Sequence, residues 1–200
     1  KGLHAWPYAH AISFDKGDHT WAIDKGSDSI VRLNPEGHVT MVFGRKKEAS
    51  DDAEPWKRVQ PPLPPVNGQF RQPTDVAWDT DGNIYISDGY INARVAKFTK
   101  DGDWVASIGE PGRTKLGELN TVHTIANDAK GNIYVGDRGN QRIQVFDPDL
   151  DPLRIISHVR APWAMCITPP NATGQQFPPP PAPRRQVYKE CRQVPPLRPG

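Results

Sequence analysis

One string occurs twice in this chain at a fixed distance. Gly82-Asn-Ile-Tyr-Ile-Ser-Asp88 returns as Gly131-Asn-Ile-Tyr-Val-Gly-Asp137, so the offset is 49 residues. The residues before it also recur, Gln72-Pro-Thr-Asp-Val-Ala77 matching Thr121-Val-His-Thr-Ile-Ala126. A more divergent copy, His10 to Asp15 and then His19 to Asp24, precedes the middle one by 64 residues. The extra length is one long connection, Arg45 to Arg71. Self-similarity at 40–50 residues is the mark of a repeat architecture.

Each copy predicts four short strands. In the middle copy they fall near 73–78, 83–87, 93–98 and 103–108. Apolar residues alternate with polar ones there, and β-branched and aromatic types are common. Asp81-Gly82, Asp101-Gly102, Glu36-Gly37 and Lys130-Gly131 supply the turns between them. No amphipathic pattern of helical length appears, and the 22 prolines exclude a helical bundle. The predicted fold is all-β, a β-propeller with blades at about 9–44, 72–109 and 121–158 and the start of a fourth at 161–168. About three and a quarter blades of a probable six leave two apolar faces uncovered. Residues 171–200 hold eight prolines and no aspartate, and nothing there continues the blade. They are expected to be a disordered proline-rich tail or an out-of-frame segment, set apart from a partial propeller over 1–170.

Composition narrows the function. A net charge of +2 implies no nucleic-acid partner, and Arg45-Lys46-Lys47 is followed by acidic residues that neutralise it. No apolar run approaches a membrane span, with a mean hydropathy of −0.67. There is no phosphate loop, no Gly-x-Ser-x-Gly and no paired-cysteine zinc pattern. The chain begins at Lys1 without a signal-like stretch, so a removed signal peptide and a missing start both remain open.

Propeller geometry sorts the side chains. The start of each first strand and the loop between strands two and three lie on one face, around the channel mouth. The matching first-strand positions are His10, Thr74 and His123. Two histidines on alternate blades, with a third on a fifth blade, would make a three-imidazole cup of the kind catalytic zinc uses. The alternative is that each histidine hydrogen-bonds a neighbouring loop. On the same face, blade two's loop is one residue longer than blade three's and carries Tyr90 in the extra length. Tyr90 either acts on a ligand or packs on the next blade. Arg138, in the matching loop, is either a binder of an anionic group or a surface arginine. Asp24, Asp88 and Asp137 recur in every copy, as do Trp21, Tyr85 and Tyr134. Residues repeated in all blades read as structural, and Arg94 and Arg142 join that set. Cys166 reads as a buried thiol with no partner base.

The copies resemble NHL repeats, Asn140-Gln-Arg-Ile-Gln-Val-Phe146 most closely. Ile86-Ser-Asp-Gly-Tyr-Ile-Asn-Ala-Arg94, Val122-His-Thr124 and Asp137-Arg138 also look like the peptidyl-α-hydroxyglycine α-amidating lyases. Those are six-bladed propellers that cleave a carbinolamide C–N bond, releasing glyoxylate and an amide. The resemblance implies that His10 and His123 are two of three zinc ligands and that Tyr90 is the catalytic base. It implies that Arg138 lies near the substrate carboxylate, and that the Ile12 carbonyl binds a structural calcium. The substrate class implied is a small molecule or peptide with a carboxylate, and the setting implied is secreted or periplasmic. The third histidine lies outside this chain, so the chain as written is expected to be inactive, with activity belonging to a complete parent. Two other functions fit a propeller of this type. One is a non-catalytic module that binds a peptide, sugar or protein partner on its top face. The other is a calcium-dependent lactonase or esterase.

Overall fold

The computed structural model describes residues 6–44, 65 and 69–167. The expected tail, the last residue of the expected fourth-blade strand and most of the long connection lie outside them.

Three four-stranded antiparallel sheets follow one another in the chain. Sheet one is β1 (Ala9–Phe14), β2 (Thr20–Asp24), β3 (Ser29–Leu33) and β4 (Val39–Phe43). Sheet two is β5 (Pro73–Trp78), β6 (Ile84–Asp88), β7 (Arg94–Phe98) and β8 (Trp104–Ile108). A small parallel pair, β9 (Glu110–Pro111) and β10 (Glu118–Leu119), leads into sheet three. That sheet is β11 (Val122–Asn127), β12 (Ile133–Asp137), β13 (Arg142–Phe146) and β14 (Pro152–Ile156), with a 3-10 turn, Arg138–Asn140, between β12 and β13. The architecture is all-β, with sheets built as propeller-type repeats. Over 161–167 no strand forms.

Alternation along each strand sends neighbours to opposite faces, and each face meets a different sheet. Val76, Ile84, Ile86, Ala96 and Phe98 pack against Trp21, Ile23, Ile30 and Phe43 of sheet one. Ala77, Tyr85 and Val95 pack against Ile125, Ile133, Val135 and Phe146 of sheet three. Burying each of these large side chains stabilises by roughly 1.5–3 kcal/mol. Among the described residues no such cluster covers the outer face of sheet one. Ile12 takes the place of Val76 in the repeat, yet it is 64% exposed against 3%.

The recurrent aspartates are fully buried ties, as the repeat implied. Asp24 Oδ1 accepts from the backbone N–H of Tyr8 at 2.8 Å. Asp88 Oδ1 accepts from Arg71 N at 2.9 Å, and Asp137 Oδ1 from Asn120 N at 2.7 Å. Each closes the end of strand two onto the segment that enters strand one. Their second oxygens face Ser27 Oγ at 2.7 Å, Arg94 Nε at 3.1 Å and Arg142 Nε at 2.7 Å. A second aspartate series went unnoticed in the sequence although it keeps the same spacing: Asp15, Asp79 and Asp128. Asp79 caps the turn between β5 and β6 through Asp81 N and Asn83 N, and Asp128 does the same through Lys130 N and Asn132 N.

Cys166 is disulfide-bonded rather than a buried thiol, which corrects the sequence expectation.

Candidate functional site

The strand starts and the loops between second and third strands do converge. His10 on β1 and His123 on β11 approach with ring centroids 4.7 Å apart, and Tyr90 stands 5.4 Å from the first and 5.6 Å from the second. Tyr90 reaches them because Gly89 hugs sheet three. A Cβ on Gly89 would lie 1.9 Å from the Val122 carbonyl oxygen, so only glycine lets the loop pass there.

Each first-strand side chain at the mouth ties its blade to the next. His10 Nδ1 donates to the Thr74 carbonyl at 2.7 Å. Thr74 Oγ1 lies 3.1 Å from the Val122 carbonyl. His123 Nδ1 donates to the Trp163 carbonyl at 2.8 Å. The carbonyl acceptors place the proton of each neutral imidazole on Nδ1 and leave Nε2 as an acceptor. Tyr90 O–H then donates to His123 Nε2 at 3.0 Å.

Two cations complete the mouth. Lys25 Nζ sits 4.1 Å from the centroids of both the Tyr8 and Tyr90 rings. The Arg138 guanidinium is 5.2 Å from the Tyr90 ring and 4.1 Å from the Trp163 ring. Tyr8, Lys25, Tyr90, Arg138 and Trp163 thus form an alternating aromatic and cationic ladder across all three sheets. Its ends are open, with Tyr8 58% and Trp163 64% exposed. Desolvation, with Arg138 and then His10 and Lys25 nearby, holds the His123 pKa down at about 4. Burial also lowers the His10 pKa, offset in part by the bond to Thr74 and reinforced by Lys25 and Arg138.

The sequence missed Lys25 and Trp163. Lys25 left a signal: it follows its strand-two aspartate, as Gly89 and Arg138 follow theirs. Trp163 left none, because its role comes from a segment that forms no strand.

The metal expectations are overturned. Among the described residues no group of three or more His, Cys, Asp or Glu side chains is placed to hold a metal ion. His123 presents its one acceptor nitrogen to the Tyr90 hydroxyl. The charged groups acting on both imidazoles are Lys25 and Arg138, which repel a dication. The zinc-dependent lyase reading therefore fails for this chain. Calcium at Ile12 fails as well, and with it the calcium-dependent hydrolase. Ile12 lies opposite Ala22 in the β1–β2 ladder. The carboxylate Asp75 on β5 is engaged by Thr124 Oγ1 at 3.0 Å and Ile125 N at 3.2 Å.

The comparisons agree with the repeat. Residues 119–146 match the NHL repeat. It is 34% identical over 190 residues to human NHL repeat-containing protein 3, covering 88% of this chain and 49% of that one. It is 30% identical over 156 residues to mouse peptidyl-glycine alpha-amidating monooxygenase, covering 74% of this chain and 14% of that one. Among solved structures, a streptogramin B lyase matches with a TM-score of 0.57 at 16% identity, over 85% of this chain and 47% of that one. That last likeness is one of fold. The chain spans half or less of the length of each of these proteins. Among the described residues no helix is long and apolar enough to cross a membrane.

Proposed function

We propose that the channel-mouth face is a non-catalytic binding surface for a carboxylate-bearing small molecule or peptide. The observation that carries this reading is the placing of two cations, Lys25 and Arg138, against the Tyr90 ring beside neutral imidazoles. Arg138 is 8% exposed and held between two rings, which fixes its guanidinium on this face, the side chain best suited to meet a planar anion. Tyr8 and Trp163 offer apolar surface to the rest of the ligand. The likeness to NHL-repeat proteins and to lyases supports a small-molecule or peptide ligand.

The test is a titration with N-acetylphenylalanine, a mimic of a peptide C-terminus, and with its amide. The Trp163 indole resonance is followed by NMR. The acid is expected to bind and the amide to bind at least roughly tenfold more weakly. Arg138→Gln should weaken the acid by roughly ten- to a hundredfold, the range for a charge-assisted bond. Equal affinity for acid and amide overturns the reading.

A further inference from the structure

Each histidine at the mouth is anchored on a carbonyl further along the chain, and the two anchors are not alike. His10 Nδ1 bonds the carbonyl of Thr74, which lies in β5 and is held by the ladder to β6. His123 Nδ1 bonds the carbonyl of Trp163, in the stretch 161–167, which forms no strand. The first strands β1, β5 and β11 are each paired with the strand that follows. Among the described residues 161–167 has no such ladder.

This stretch nonetheless lies against sheet three. Met165 N donates to Thr124 Oγ1 at 3.2 Å. A Cβ added at Gly136 would meet Pro162 Cβ at 3.4 Å. The Trp163 ring stands 5.1 Å from the His123 ring and 4.1 Å from the Arg138 guanidinium.

In place of a ladder it has a covalent tie. Cys166, close beyond Trp163 in the chain, is disulfide-bonded, and no described cysteine is free. The chain's other cysteine is Cys191, outside the described residues. A cross-link restricts the chain even when its weaker bonds let go. Cys166 is half-buried and belongs to neither core cluster. Disulfides outside a sealed core are the ones that thiols reduce most readily.

We propose that the disulfide joining Cys166 to Cys191 is a redox-sensitive clasp on the mouth. Closed, it keeps Trp163 against His123 and Arg138. A dithiol opens it by exchange: one thiolate attacks a cysteine sulfur, the S–S bond breaks, and the second thiol resolves the mixed disulfide. The dithiol gives up two electrons and leaves as its own disulfide, and its two protons end on the cysteine thiols. Without the cross-link, the bonds from His123 and to Thr124 do not hold 161–167, and Trp163 leaves the mouth. Control of ligand binding follows, and that consequence rests on the function proposed above; the clasp itself does not.

The test compares the full chain in its disulfide form with the same chain under dithiothreitol. A thiol assay should find no free thiol before reduction and two after it. Trypsin then reports on the segment by cleaving after Arg160, which is exposed. That cleavage is expected to run at least roughly tenfold faster in the reduced form, because it tracks the population of the open segment. The His123 ring and Trp163 indole resonances should shift on reduction and return on reoxidation. The Trp21 and Trp78 indoles, packed between sheets one and two, should stay in place. Cys166→Ser should match the reduced form with or without dithiol, and should it not fold, reduction of the parent chain decides alone.

Free thiols in the untreated chain, equal cleavage in the two forms, or unmoved His123 and Trp163 resonances overturn the proposal. General unfolding on reduction also overturns it, because the cross-link would then support the whole fold. N-acetylphenylalanine should bind the reduced form more weakly, and equal affinity for the two forms overturns control of the site. If neither form binds the acid, the mouth reading falls, while cleavage and resonances still decide the clasp.

Discussion

Tyr90 donates its hydroxyl proton to Nε2 of His123 across 3.0 Å, joining a loop of sheet two to a strand of sheet three. His123 Nδ1 is held by the Trp163 carbonyl, so the imidazole is bonded at both nitrogens. The Tyr90 bond to Nε2 stabilises the neutral ring and, with desolvation and Arg138 beside it, opposes protonation, while the bond to the Trp163 carbonyl acts the other way. Arg138→Gln should raise the His123 pKa from about 4, because Arg138 is the leading charge on it after desolvation. Tyr90→Phe should also raise it, by removing a bond made to the neutral form. Imidazole C–H resonances followed against pH read both. An unchanged pKa in Arg138→Gln would mean that the guanidinium does not act on the ring.

Gly89→Ala should pull Tyr90 away from His123. The new Cβ would fall 1.9 Å from the Val122 oxygen, and the loop must move. A destabilisation of roughly 1–3 kcal/mol is expected in urea, with loss of the Tyr90 effect on His123 titration. Parent-like stability would show that the loop does not press on sheet three.

The aspartate ties should differ in strength. Asp88→Asn removes the ion pair from Asp88 to Arg94, which is 1% exposed, and a loss of about 3–5 kcal/mol is expected. Asp24→Asn faces a serine hydroxyl that can reorient, so roughly 1 kcal/mol is expected. Denaturant midpoints of the two variants test the order, and equal losses would contradict it.

Much of this was open to reading from the chain. The 49-residue offset located the strands of sheets two and three, because a repeated unit must pack the same way each time. The repeat also marked Asp24, Asp88 and Asp137 as structural, and the bonds to Tyr8, Arg71 and Asn120 give the reason. It brought His10, Tyr90, His123 and Arg138 to one face. It did not fix their chemistry. Paired histidines suit a metal or a carbonyl equally well, and only the positions of Thr74 O, Trp163 O and the two cations decide between them. The partners of Trp21 and Arg32 were invisible for another reason. Trp21 Nε1 bonds Asp15 and Arg32 Nε bonds Thr40, both within sheet one, and side-chain direction is not written in the spacing.

Asp75 should make stability pH-dependent. Desolvation pushes its carboxyl up to about 6, partly offset by bonds from Ile125, Val76 and Thr124. A raised carboxyl pKa favours the folded state below the unfolded pKa, near 3.8, and that advantage is lost as pH rises to about 6. Asp75→Asn cannot ionise. Its stability relative to the parent should therefore rise by up to about 3 kcal/mol between pH 4 and pH 7. A constant difference across that range would contradict the shift.

The central claim is that the mouth holds an anion and not a metal ion. The most direct measurement follows the His10 and His123 ring resonances during two titrations at pH 7, one with N-acetylphenylalanine and one with zinc chloride. Saturable shifts with the acid, abolished or weakened in Arg138→Gln, and unmoved rings with zinc up to roughly 100 µM are predicted. Tight zinc binding that moves both imidazoles and displaces the Tyr90 hydroxyl, with no response to the acid, would contradict the account.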